Sequence, residues 1–185
     1  IGTIGIGRDV TDLRKYELRL RHAASTDELT GLANRRSFFE YIVKHRGEAP
    51  LTVARMKLRH LRHLNDTYGV QKGDEALIAM AGFLRRTFPD AVLCRFGGGE
   101  FLIGQTDLDL SSSFKEKFLD MLIQIRQYCD SNQKPLLPSA NMGISSTADP
   151  KTPLDKLIRQ CDLALYYARN LGEGQCCVFS EIISE

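Results

Sequence analysis

The chain has 185 residues, 43% hydrophobic and 26% charged, with a formal net charge of +2. That is enough for one well-cored domain plus a short extra segment, and it lacks the basic excess of a dedicated nucleic-acid binder, so a small anionic ligand is the better-supported partner. No apolar run nears the ~20 residues of a bilayer span and no signal peptide is visible, so neither a membrane contact nor export is expected and the fragment is placed in the cytoplasm.

Residues 1–12 alternate like a strand, Ile1-Gly2-Thr3-Ile4-Gly5-Ile6, and then turn into a helix start at Asp12. From Leu13 the apolar positions Leu13, Tyr16, Leu20 and Ala23 recur at 3-4-3 spacing with Arg14, Lys15, Arg19 and Arg21 between them, which predicts a helical linker over 13–26. Two readings of that seam stay open. It can pair with a second copy as a parallel coiled coil, giving a homodimer, or pack on the domain that follows, since so short a helix needs tertiary support.

Next, Gly31 permits an unusual backbone angle and Asn34 can cap a helix running through Phe38, Phe39 and Ile42, with Leu29 and Leu32 beneath; Asp27 and Asn34 are read as structural. Leu51 to Leu58 reads as a strand, followed by helices from Leu61 to Tyr68 and from Glu75 to Phe88. Two apolar runs then flank Gly97-Gly98-Gly99, the pattern of a β-hairpin whose turn lets a ligand approach bare backbone. A helix from Ser113 to Cys129, a strand from Ser139 to Ser145, a helix from Leu154 to Asn170 and a strand from Cys176 to Phe179 complete the series, with 181–185 as the start of a further linker. Helices intermixed with strands that include a hairpin predict an α/β (α+β) fold with a mixed central sheet flanked by helices.

The five cysteines, Cys94, Cys129, Cys161, Cys176 and Cys177, are odd in number and lack C-x-x-C spacing, which fits reduced, mostly buried thiols. His60 and His63 are three apart, but no third ligand is placed beside them and their neighbours are basic, so no metal is assigned there.

Four strings stand in order: Asp27-Glu28-Leu29-Thr30-Gly31-Leu32-Ala33-Asn34-Arg35; Leu64-Asn65-Asp66-Thr67-Tyr68-Gly69 with Gly73-Asp74; Arg95-Phe96-Gly97-Gly98-Gly99-Glu100-Phe101; and Cys161-Asp162-Leu163-Ala164-Leu165-Tyr166-Tyr167-Ala168-Arg169. Together they span roughly 150 residues, far more specific than one glycine-rich turn, and they resemble the GGDEF family of diguanylate cyclases. The resemblance implies a nucleotidyl-cyclase palm-like fold over 27–180 and a guanine nucleotide, GTP, as ligand. Residues 1–12 resemble the exit of a PAS sensor domain, and a following output domain, often an EAL phosphodiesterase in this family, is expected in the same chain.

The resemblance also locates a site and its departures. A guanine base offers donors along its pairing edge beside the O6 acceptor, so a reader needs an amide and a carboxylate. Asn65 and Asp74 stand where the family holds the base; on the residues alone, Asn65 could cap a helix turn and Asp74 could start the next helix. Lys57 and Arg59 stand where the family carries an Asp-x-Asp pair, and Gly99 replaces the acid that binds divalent metal. Lysine for aspartate at 57 and glycine for an acid at 99 make the pocket roughly three charge units more positive, so bound Mg²⁺ is expected to be absent or weak and no metal ligand is assigned. Glu100 is the retained acid and is read as structural. The nucleotide-binding set is Asn65, Asp74, Arg62, Gly97, Gly98, Arg169 and Lys57. Lys57 either binds phosphates from the metal's place or extends to solvent, and Arg62 either contacts phosphates or lies on a solvated face.

Glu173 reverses the second cation of the family's phosphate-holding stretch, and Arg86 and Asp90 are one residue too far apart for the family's product-binding Arg-x-x-Asp. No catalytic residue is therefore expected. The leading reading is a GGDEF domain without diguanylate cyclase activity that binds GTP and couples a PAS sensor to a downstream domain. The alternatives are a residually active cyclase, making cyclic di-GMP from two GTP with Glu100 alone recruiting metal, or a nucleotide-free dimerisation and relay scaffold.

Overall fold

The computed structural model describes Arg14 and residues 25–106, 110–131 and 138–183. The strand-like run at 1–12, the seam positions Leu13, Tyr16, Leu20 and Ala23, and the end of the linker at 184–185 lie outside the described residues.

In chain order the elements are α1 (Arg35–His45), β1 (Leu51–Leu58), α2 (Leu61–Tyr68), α3 (Val70–Thr87), β2 (Val92–Gly97), β3 (Glu100–Thr106), α4 (Ser111–Ser131), β4 (Ala140–Thr147), α5 (Leu154–Leu171), β5 (Cys176–Val178) and α6 (Phe179–Ile182). The strands form one five-stranded sheet in the order β2-β3-β1-β4-β5. β1 lies at its centre, antiparallel to both β3 and β4, while β5 joins β4 in parallel, so the sheet is mixed as the sequence predicts.

Alternation along the strands divides the core between the two faces. Ala54, Met56 and Leu58 of β1 share one face with Phe101 and Ile103, covered by Leu77, Met80 and Leu84 of α3 and Phe114, Phe118 and Met121 of α4. Leu51 and Val53 share the other with Cys94 and Leu102, covered by Phe38 and Ile42 of α1 and Leu157, Ile158 and Cys161 of α5. Arg55 and Lys57 continue this second row, so β1 starts apolar and ends cationic on the face that α5 covers. The close approach of α5 depends on Gly143 of β4, where a Cβ would fall 2.2 Å from the Cys161 carbonyl oxygen.

Most boundaries shift by one or two residues from the sequence reading, and three differences matter for the site or the chain's exit. α3 begins at Val70, directly after Gly69 at φ 88°, so Gly73 and Asp74 lie inside the helix instead of starting it. Asn65 sits within α2 and caps nothing with its side chain; its own carbonyl accepts from Gly69 N at 2.8 Å. The last strand stops at Val178, and the chain turns at once into the helical turn Phe179–Ile182. The N-cap at Asn34 is as expected, its Oδ1 accepting from Ser37 N at 3.0 Å.

Candidate functional site

The C-terminal end of β1, the glycine turn, the start of α2 and the end of α5 enclose a cleft of about 460 Å³. Its walls are Lys57, Leu58, Arg59, His60, Leu61, Arg62, Gly97, Gly98, Gly99, Glu100 and Arg169. Lys57, Arg59 and Gly99, three of the four positions where the resemblance implies a departure, thus come together with Gly97, Gly98, Arg62 and Arg169 from the expected nucleotide set, while Glu173 stands outside the lining. Asn65 and Asp74 are not among the lining residues; they lie beyond Arg62, on α2 and α3.

Sheet register explains the centre of the site. Lys57 and Glu100 are directly opposite across the β1/β3 ladder, and cross-strand neighbours on one face interact. Lys57 Nζ donates to Glu100 Oε1 at 2.6 Å, so the ammonium neither stands free nor extends away to solvent. The other oxygen, Oε2, accepts from Arg55 Nη2, and Arg55 Nη1 reaches Asp162 Oδ1 on α5 at 2.6 Å. Burial pushes the Glu100 carboxyl up, but hydrogen bonds from Arg55 and Lys57 and the attraction of their charges outweigh it and hold the group below its ordinary value. Arg55, 15% exposed, also stacks on the Phe96 ring at 4.5 Å, and Arg35 stacks there at 4.7 Å. Arg55 was not singled out from the sequence, although its place two residues before Lys57 puts it on the same strand face.

The rim carries a second set of contacts. Glu173, just beyond α5, accepts at Oε1 from His60 Nε2 at 2.7 Å, with Arg59 Nε at 3.7 Å. His60 has φ 59° and offers no side-chain cap to the first turn of α2. The end of α5, and with it Arg169, is anchored by Asn141, whose Nδ2 donates to Gly172 O at 2.7 Å and Ala168 O at 3.2 Å. Arg62 is 95% exposed, with Asp66 at 3.8 Å.

The glycine turn is pinned from outside the cleft. Arg95 donates to the Gly98 carbonyl at 3.1 and 3.2 Å and also to both Asp27 oxygens, at 3.2 and 3.3 Å. Burial raises the Asp27 carboxyl, but hydrogen bonds from Thr30 and the Arg95 charge leave it below its ordinary value, consistent with a structural role. Gly97 at φ 146° and Gly98 at φ 52° need glycine for conformation. At Gly99 the limit is space, since a Cβ would lie 3.0 Å from Leu61 Cδ2 and 3.2 Å from Leu58 Cβ.

Mg²⁺ prefers an octahedral shell of oxygens. The cleft offers one carboxylate, both of whose oxygens are held by cations, and its other charged walls are Lys57, Arg59, Arg62 and Arg169. This donor set does not fit a divalent metal. Arg86 stacks on Phe83 at 4.5 Å, whereas Asp90 lines a separate hollow with Arg85 and Tyr41, so those two positions do not form one site.

In the seam between α2 and α3, the Asn65 amide lies against Gly73 so closely that a Cβ there would fall 1.7 Å from Oδ1. That oxygen is buried and has no hydrogen-bond partner among the described residues.

A profile of the family described as "Diguanylate cyclase, GGDEF domain" matches residues 24–175. A diguanylate cyclase of Vibrio cholerae is 29% identical over 193 residues, covering 98% of this chain and 58% of that protein. The cyclic di-GMP phosphodiesterase PdeR of Escherichia coli is 30% identical over 181 residues, covering 94% of this chain and 27% of its own length. The chain therefore spans between about a quarter and three-fifths of these relatives. Among solved structures, the coiled coil and GGDEF domain of DgcB from Caulobacter crescentus, in complex with c-di-GMP, superposes with a TM-score of 0.80 at 22% identity, covering 92% of this chain and 93% of that one. The FimX GGDEF domain of Pseudomonas aeruginosa gives 0.71 at 20% identity, over 82% and 98%.

Proposed function

The chain belongs to the GGDEF domain family of cyclic di-GMP signalling proteins, and we propose that this member is a regulatory guanine-nucleotide module in which the cyclase reaction does not run. The carrying observation is the Lys57 ammonium 2.6 Å from Glu100. An acid that would have to ligate metal is committed instead to two cations, so the arrangement that polarises a triphosphate for attack is missing. What remains is a cation-lined cleft of a size suited to a small ligand.

GTP is the ligand we assign, with the phosphates toward Lys57, Arg62, Arg169 and the Gly97–Gly98 backbone and the base toward Asn65 and Asp74. The unpartnered Asn65 Oδ1 supports this, because a buried acceptor costs about 1–3 kcal/mol until a donor reaches it, and a guanine edge carries donors. In the longer protein we place the module between a PAS sensor and a downstream output domain such as an EAL phosphodiesterase. We also assign it to the cytoplasm and to a homodimer joined through residues 13–26. Among the described residues no helix is long and apolar enough to cross a membrane.

The test is to incubate the purified chain with GTP and Mg²⁺, search for cyclic di-GMP by chromatography, and titrate GTP and ATP by calorimetry. The expected outcome is saturable GTP binding without product, with Asp74→Ala weakening GTP more than ATP. Product above a blank would establish residual cyclase activity, and the absence of any binding would leave a scaffold.

A further inference from the structure

We infer that the cleft takes the nucleotide as a free polyphosphate anion, and that Mg²⁺, instead of enabling binding, opposes it. The inference rests on the reading of this cleft as a nucleotide site and concerns which charge form of the nucleotide that site selects.

The lining charges are Lys57, Arg59, Arg62 and Arg169 against Glu100 alone. Glu173 touches Arg59 and His60 from the rim and offsets part of this, but the balance still favours an anion. The start of α2 lines the same cleft through Leu61 and Arg62, and its first turn has no side-chain cap from His60, so the positive end of the helix adds to the balance.

Lys57 can serve an incoming phosphate without leaving an orphaned acid. Glu100 is held at Oε2 by Arg55, which is fixed independently by Asp162 and by the Phe96 ring, while Lys57 holds only Oε1. Lys57 is 40% exposed on the cleft wall, against 19% for Glu100 and 15% for Arg55. A phosphate drawing the ammonium away would therefore leave Glu100 paired.

The same geometry disfavours the magnesium complex. Mg²⁺ cancels two of the charges by which these cations hold the triphosphate and would bring a divalent ion beside an ammonium, with no free carboxylate to receive it. A site that reads the free anion reports the nucleotide left over by Mg²⁺, and its occupancy falls as free Mg²⁺ rises.

The experiment is calorimetric titration of the purified chain with GTP, once in EDTA and once in excess MgCl₂, at matched ionic strength. Binding at least about tenfold tighter in EDTA is the expected result. Equal or tighter binding with Mg²⁺ would overturn metal antagonism while leaving the nucleotide reading intact; no saturation in either buffer would overturn both. Lys57→Gln should weaken binding in EDTA by about tenfold and flatten the Mg²⁺ dependence, whereas Lys57→Arg should keep both. Thermal melts confirm that the variants are folded. A Lys57→Gln protein that retains the full Mg²⁺ effect would remove Lys57 from the explanation and overturn the inference as drawn.

Discussion

Arg55 sits at the junction of sheet, cleft and α5, and replacing it by alanine tests whether Glu100 has become part of the scaffold. Removing one partner of a buried ion pair costs about 3–5 kcal/mol, because the remaining charge is stranded. Two features reduce that here. Lys57 still holds Oε1 of Glu100, and Asp162, 45% exposed, can rehydrate. Losing the stack on Phe96 adds to the cost, so Arg55→Ala should lose about 2–3 kcal/mol, whereas Lys57→Ala, with Arg55 still in place, should lose only about 0.5–1 kcal/mol. Urea unfolding at constant m-value measures both. The pH dependence gives an independent check. Because the folded pKa of Glu100 lies below its ordinary 4.5, the stabilisation is complete above about that pH and disappears as pH falls through the folded value. The gap between the parent chain and Arg55→Ala should thus be full at pH 7 and narrowed at pH 3, while the Asp27 contribution changes equally in both and cancels. An Arg55→Ala protein no less stable than Lys57→Ala, or a gap unchanged in acid, would refute the reasoning.

Other expectations follow from close contacts and charges. Gly143→Ala places its Cβ 2.2 Å from Cys161 O and 2.3 Å from Leu165 N, so it should lose about 3 kcal/mol or more, visible as a large drop in melting temperature or failure to express in soluble form. Gly73→Ala must displace only the Asn65 side chain and gains up to about 1 kcal/mol of helix propensity; it should leave stability nearly unchanged and lower GTP affinity, checked by paired melts and calorimetry. Asn34→Ala removes the α1 cap and should cost about 1 kcal/mol in urea. Charge reversals Arg59→Glu and Glu173→Arg should each destabilise by a few tenths to ~1 kcal/mol, and together should recover most of that loss in a double-mutant cycle.

Periodicity alone located nearly every element, because strands alternating against two covered faces and helices with one apolar stripe leave clear patterns. The start of α3 is hidden because Gly73-Asp74 resembles a helix start, whereas what calls for glycine inside the helix is the Asn65 amide pressed against it, a contact between separate elements. The cleft was legible as a set of positions. Its internal pairing was not. That Lys57 meets Glu100 depends on β1/β3 register, which no local pattern of this chain specifies, and Arg55 reads as an interruption in an apolar strand until β3 and α5 are set against it. Glu173 looked like a simple loss of a cation because its partners His60 and Arg59 lie more than a hundred residues earlier.

Those pairings bear on the proposal that the cleft holds an anion without a metal. Loss of metal ligands by unrelated substitutions would leave unmatched charges in a half-buried cleft, each carrying a desolvation cost that a marginally stable domain feels. Here the charges answer one another. Lys57 stands where the resemblance implies an acid, opposite Glu100. Arg59 and Glu173, where the resemblance implies an acid and a cation, lie 3.7 Å apart. Across the rim an acid faces a base, and the central acid is held by two protein cations. A cleft charged in this reciprocal way has firm walls, a pinned turn and a positive interior. Those are the features an anion needs to bind, and they differ from the ones a metal needs to drive its reaction.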